Sequence, residues 1–166
     1  REESGCRAVW DAAVVLFVKR ICVFAGSSLV ARISYAERAR AFGRAVAGRG
    51  LGLVYGGACV GLMGAVADGF LERSTDIIGV IPTMLAGKEI VHPGFGDLRV
   101  SAGMHERKAE MALLADAFVA LPGGFGTLEE LFEILTWAQL DFHRKPIGLL
   151  NVEGFFHRAR QLAEHL

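Results

Sequence analysis

From residue 19 onward, short apolar runs alternate with longer stretches in which apolar residues recur three and four positions apart. Residues 20–25 (RICVFA), 51–55, 77–81, 98–100, 117–121 and 146–150 are too short and too continuously apolar for surface helices, and they read as strands. Between them, 34–47, 62–71, 104–115, 127–141 and 155–165 carry the helical period. In the first of these Tyr35, Ala39, Phe42 and Val46 share one face, and Ser34 with Glu37 three residues on has the pattern of a capping box.

Strand–helix alternation with near-continuous apolar strands predicts an α/β domain built on a parallel sheet with helices on both faces. Such sheets take their ligands at the carboxyl ends of the strands, where the strand-to-helix turns lie. No repeat or linker divides the chain, so residues 19–166 are expected to form a single domain, C-terminally truncated. The less regular stretch 83–97 is expected to be a mobile loop beside the site. Residues 12–18 form an apolar run far below the ~20 residues that span a bilayer. They follow acidic rather than basic residues, which is a poor match to a signal peptide. Residues 1–18 are therefore set apart as an extension of unknown role.

Composition narrows the chemistry. The 166 residues are 52% apolar, enough for a full core, and 18 Lys and Arg balance 18 Asp and Glu. A balanced charge argues against a nucleic-acid-binding surface and leaves room for a small phosphorylated ligand. Cys6, Cys22 and Cys59 have neither disulfide-framework nor zinc spacing, so free thiols in a reducing cytoplasm are expected. The five histidines show no metal-ligand spacing, and no metal site is expected.

Eight of the 21 glycines gather at strand ends, in three turns: Gly26-Ser27-Ser28, Gly56-Gly57 with Gly61 and Gly64, and Pro122-Gly123-Gly124-Phe125-Gly126-Thr127-Leu128-Glu129-Glu130. Glycine lets a backbone approach a ligand closely, and the free amides of a helix N-terminus attract anions. Gly124, Gly126 and Thr127 are thus candidates to hold a phosphate, although a tight turn without a ligand has the same spacing. No G-x-G-x-x-G or Walker sequence is present. Glu130 has two readings: Thr127-x-x-Glu130 is itself a capping box, yet a carboxylate beside a phosphate–sugar site can stabilise an oxocarbenium-like centre. Arg107 and Lys108 open a helix whose dipole disfavours cations there, which suggests a compensating anion or a solvated basic turn.

Met104-His105-x-Arg107-Lys108 together with Pro122-Gly123-Gly124-x-Gly126-Thr127-x-Glu129-Glu130 resembles the Lonely Guy family of cytokinin-activating phosphoribohydrolases, whose members are often labelled lysine decarboxylases. The resemblance runs from about Ile21 to Phe156 and includes Val23-Phe24-x-Gly26-Ser27-Ser28, Leu53-Val54-Tyr55-Gly56-Gly57, Gly61-Leu62-Met63-Gly64 and Gly79-Val80-Ile81-Pro82. It implies a Rossmann-like, doubly wound fold and a homodimer or larger homo-oligomer. It also implies cofactor-free hydrolysis of N6-modified adenosine 5′-monophosphates to the free base and ribose 5-phosphate.

Carried over, Arg107 and Glu130 match the catalytic pair. Lys108, Glu89, Glu129 and the loop Gly124, Phe125, Gly126, Thr127 and Leu128 match substrate-binding positions. Gly26, Ser27, Gly56, Gly57 and Met104 complete the candidate set, with apolar walls for the base expected from 83–97 and from around Met104 or Trp137. A nucleotide or molybdenum-cofactor carrier on the same fold is the alternative, disfavoured by a carboxylate placed at the ribose. The chain departs from the family at Ala58-Cys59, at Leu29-Val30-Ala31-Arg32 and at Glu72-Arg73-Ser74-Thr75.

Overall fold

The computed structural model describes residues 18–28, 32–86, 91–93, 97–163 and 165. Six strands, β1 (Arg20–Phe24), β2 (Gly52–Tyr55), β3 (Ile77–Pro82), β4 (Asp97–Ser101), β5 (Ala117–Ala120) and β6 (Ile147–Leu149), form one sheet in the order β4-β3-β2-β1-β5-β6. Every pairing is parallel. The helices are α1 (Ile33–Gly48), α2 (Gly61–Leu71), the four-residue α3 (Thr83–Ala86), α4 (Met104–Leu114), α5 (Phe125–Gln139) and α6 (His157–Ala163). The α/β, Rossmann-like, doubly wound sheet expected from the sequence is what the chain forms.

The strands lack polar alternation because both faces are covered. On β1, Cys22 and Phe24 point into a core shared with Val80, Phe118, Met111 of α4 and Leu131 and Ile134 of α5. Val23 and Ala25 point into the opposite core, with Tyr55, Ala39 of α1 and Val66 and Phe70 of α2. The period-2 geometry of a strand sends successive side chains to opposite faces, so a continuous apolar run fills two cores at once. The outer strand β4 is only half covered, leaving Leu98 and Val100 exposed. Cys22 is buried and Cys59 partly buried, both as free thiols.

Several boundaries differ from the sequence reading. The first helix begins at Ile33 with Arg32 as its N-cap and no side-chain cap, so Ser34 lies inside the helix rather than capping it. Likewise α5 begins at Phe125 with Gly124 as N-cap, two residues before the expected start. The expected last helix is delayed by a 3-10 turn, Val152–Gly154, in which Glu153 and Gly154 take positive φ values of 51° and 74°. Within 83–97 the structure adds α3, which has no buried residue, and Val91 forms an antiparallel bridge with Ala58.

The order of strands fixes where a ligand can sit. The chain steps outward from β1 to β4, then returns to place β5 on the other side of β1. Loops leaving β1 and β5 therefore diverge to opposite faces, opening a crevice at their carboxyl ends. The two loops stay in register beyond the sheet, where the Gly26 amide donates to the Pro122 carbonyl at 3.2 Å.

Behind this crevice, α1 and α2 pack closely enough that a Cβ on Gly43 would overlap the Val66 carbonyl oxygen and sit 2.9 Å from the Phe70 amide nitrogen. Those neighbours are backbone and cannot rotate aside. Gly43→Ala is expected to destabilise the fold by about 1–3 kcal/mol, the usual cost of overpacking, measured as a fall in the denaturant midpoint.

Candidate active site

At the β1–β5 crevice lies a cleft of about 660 Å³. Its floor is the two glycine turns: Gly26, Ser27 and Ser28 after β1, and Pro122, Gly123, Gly124, Gly126 and Thr127 after β5. Arg107, Glu129 and Glu130 supply its charge, and Tyr35, Leu62, Met63, Met104 and Phe155 its apolar walls, with Arg32 at one side.

The glycine turn after β5 delivers the N-terminus of α5 into this cleft. Phe125, Gly126 and Thr127 form its first turn, whose amides have no intrahelical acceptor by the geometry of an α-helix. With the helix dipole behind them, they suit an anion. Gly123 is required for close packing: a Cβ there would overlap the Thr127 side chain, which is buried beneath the turn. The start of α2 is different, because the Gly26 carbonyl already accepts from the Leu62 amide at 2.8 Å and the Met63 amide at 3.3 Å. At the start of α5 the first-turn amides are left for a ligand, whereas at the start of α2 two are already taken.

Arg107 is buried at the base of α4 and fixed by backbone. Its Nε donates to the Val80 carbonyl at 2.9 Å, and its Nη2 to the Gly56 carbonyl at 3.3 Å. Gly56 must be glycine for this, since a Cβ there would overlap Nη2. The remaining nitrogen, Nη1, lies 3.9 Å from the Met104 sulfur and 3.8 Å from Oε1 of Glu130. An arginine held at two points by carbonyls cannot swing, so its third nitrogen is presented in one direction.

Glu130 is nine-tenths buried, and it lies five positions past the first residue of α5, inside the helix. Because Gly124 and not Thr127 is the N-cap, the Thr127–Glu130 capping box does not form, and the carboxylate is not spent on a helix end. Burial pushes its pKa up to about 7, against the opposing pull of the Arg107 cation, with Glu129 and Glu133 adding to the rise. At neutral pH the group is poised between its two protonation states.

Lys108, also buried, does not line the cleft. Its ammonium forms ion pairs with Glu129 and, at 3.0 Å, with Glu133. Burial alone would lower the Lys108 pKa, but the two carboxylates outweigh it and the net shift is upward.

The structure thus gathers Gly26, Ser27, Met104, Arg107, Gly124, Gly126, Thr127, Glu129 and Glu130 around one cleft. Gly56, Gly57, Lys108, Phe125 and Leu128 are not on its surface: Gly56 holds Arg107, Phe125 is 92% exposed, and Leu128 packs on the core. Glu89 lies outside the described residues. Trp137 packs against the core, and no described residue of 83–97 reaches the cleft. The apolar walls come instead from Tyr35, Leu62, Met63 and Phe155, together with the expected Met104. Tyr35 was visible in the sequence only as a core position. Phe155 meets it edge-on at 6.2 Å between ring centroids.

The family model described as "Possible lysine decarboxylase" matches residues 63–166. The chain is 52% identical over 138 residues to the cytokinin riboside 5′-monophosphate phosphoribohydrolase LOG of Oryza sativa subsp. japonica, covering 83% of this chain and 57% of that protein. It is 53% identical over 139 residues to the cytokinin riboside 5′-monophosphate phosphoribohydrolase LOG7 of Arabidopsis thaliana, covering 84% of this chain and 64% of that one. The chain therefore spans less than two thirds of either relative. Among solved structures, the molybdenum cofactor binding protein of Rippkaea orientalis superposes with a TM-score of 0.65 at 25% identity, covering 85% of this chain and 84% of that one.

The buried carboxyl has a thermodynamic consequence. A group whose folded pKa lies above its unfolded value favours folding below the unfolded pKa, and that contribution is lost as pH rises through the folded pKa. For Glu130 the window runs from the ordinary glutamate value of 4.5 to about 7. Glu130→Gln is expected to stabilise the fold, relative to wild type, by on the order of 3 kcal/mol at pH 8. At pH 4 the difference is expected to vanish, and urea unfolding at the two pH values measures both.

Proposed function

The chain belongs to the Lonely Guy family, and from that premise we propose that it hydrolyses the N-glycosidic bond of an N6-modified adenosine 5′-monophosphate to the free base and ribose 5-phosphate. The observation that carries this reading is the placing of a buried carboxyl, Glu130, 3.8 Å from a fixed arginine, in the same cleft as the open first turn of α5.

In this reading the 5′-phosphate is held by the amides of the Gly124–Thr127 turn. The ribose lies along Glu129 and Glu130, and the base rests against Met104 and the other apolar walls. Cleavage of the C1′–N9 bond sends its electron pair to the base and leaves positive charge on the ribose. Ionised Glu130 stabilises that charge. Water adds to C1′ and the proton it releases ends on the departing base. Arg107 Nη1 orients the nucleotide and draws on the leaving group. The activity and substrate of the named relatives are the source of the reaction class, and the cleft's chemistry agrees with it. A lysine decarboxylase would need a lysine at the cofactor, and no described lysine lines the cleft. The homo-oligomer and the cytoplasmic setting belong to the same proposal. The exposed apolar residues Leu98, Val100 and Leu113 are available to an interface.

Incubation with AMP and with isopentenyladenosine 5′-monophosphate, followed by chromatography for free base and ribose 5-phosphate, is expected to show release from the monophosphates and not from the nucleosides. Glu130→Gln should lower kcat by about a hundred- to thousandfold while leaving nucleotide binding intact, the scale of removing one electrostatic stabiliser. Arg107→Ala should lose activity comparably. Nucleotide binding without base release in wild type would overturn the hydrolase in favour of a carrier.

A further inference from the structure

The cluster below the cleft has a member that the proposed reaction does not use. Glu129 and Glu133 sit four residues apart on α5, on one face, where two carboxylates repel. The Lys108 ammonium from α4 lies between them, paired with both, with its side chain only 6% exposed. Glu129 is 55% exposed and lines the cleft, whereas Glu133 is 24% exposed and does not.

We propose that Glu133 is a positioning residue for the substrate ribose: by sharing the Lys108 cation with Glu129, it leaves lone pairs of the Glu129 carboxylate available as acceptors at the cleft wall. The inference rests on the phosphoribohydrolase reading for its substrate, and on the Lys108 geometry for its mechanism.

An ammonium has three donors and no acceptor, and a buried one needs compensation. With two carboxylates present, neither takes the whole charge, and Glu129 retains lone pairs for ribose hydroxyls. With Glu133 neutralised, Lys108 closes onto Glu129 alone and consumes that capacity. The same loss reaches the neighbouring Glu130. The charges acting on it are Arg107 and Lys108 of α4 and Glu129 and Glu133 of α5, and both carboxylates favour its protonated form. Removing the Glu133 charge, or tying Lys108 more tightly to Glu129, lowers the proton affinity of Glu130 in either case.

The test uses the full chain carrying Glu133→Gln, with Glu133→Asp as the conservative variant. It has two readouts. The first is the titration of the Glu130 carboxyl by carbon-13 NMR in the absence of nucleotide. The Gln variant is expected to titrate at lower pH than wild type, and the Asp variant in between. The second is the KM for the nucleoside monophosphate, expected to rise about tenfold in the Gln variant with a smaller change in kcat, the scale of one hydrogen bond to a charged group. Asp should recover most of it.

An unchanged Glu130 titration in a folded Gln variant, or an unchanged KM, overturns the proposal and leaves Glu133 as an ordinary helix-surface partner. Wild type that does not hydrolyse the monophosphates overturns the phosphoribohydrolase reading, and with it the ribose as the ligand that Glu129 serves. The titration still decides whether the Glu133 charge reaches Glu130.

Discussion

Arg107 reaches from the base of α4 toward two strands, donating to Val80 within β3 and to Gly56 just past the end of β2. These bonds satisfy the donors of a cation that would otherwise be buried at a cost of several kcal/mol. They also lock α4 to the sheet at the point where the cleft opens. Glu130 is buried 3.8 Å from this cation, which pulls against the desolvation of its carboxylate. Without Arg107 the carboxyl would lose the larger of the two cations that oppose its desolvation, and its pKa would rise further. The arginine therefore sets both the architecture of the cleft floor and the protonation of the one buried acid in it.

The arrangement places opposing electrostatic demands on one helix. The start of α5 offers amides and a positive dipole end, which favour an anion. One turn further along come Glu129 and Glu130, which do not. Helix geometry separates these functions: Gly124 to Thr127 lie at the mouth of the helix axis, while Glu130 points inward from the next turn toward Arg107. Glu129 is drawn toward Lys108. Each carboxylate has a cation behind it, so the phosphate end of the cleft keeps its positive character.

Much of the fold could be read in advance because it depends on local pattern. Six apolar runs too short for helices, separated by helical periods, leave little besides a parallel sheet with two covered faces. The glycines at the ends of β1 and β5 then mark the switch point. What could not be read depends on contacts between distant segments. Thr127 looked like a helix cap because Ser, Thr and an acid three residues later usually are. The helix instead starts at Phe125, since Gly124 can extend and Thr127 is buried against Gly123. Gly56 looked like a ligand-binding glycine, but its missing side chain makes room for a protein side chain, the Arg107 guanidinium. Lys108 follows Arg107 directly, yet a helix rotates successive residues by about 100°. One therefore faces Val80 and Glu130 while the other faces Glu129 and Glu133. Tyr35 and Phe155, 120 positions apart in sequence, meet at the cleft for the same reason, and no local signal joins them.

The charge balance of the cleft bears on how such a site would accelerate glycosidic cleavage. Two cations, Arg107 and Lys108, face three carboxylates, Glu129, Glu130 and Glu133. With Glu130 protonated the cluster is neutral, and a phosphate dianion enters without repulsion from it. With Glu130 ionised the cluster carries one negative charge beside a bound dianion, an unfavourable state before reaction. When the glycosidic bond breaks, positive charge forms on the ribose between the phosphate and Glu130, and the same negative charges become stabilising. An interaction that is unfavourable in the ground state and favourable in the transition state is the kind that raises kcat rather than tightening binding. In the proposed reaction, the burial that raises the Glu130 pKa also makes its ionised form costly before the bond breaks and stabilising once positive charge develops on the ribose.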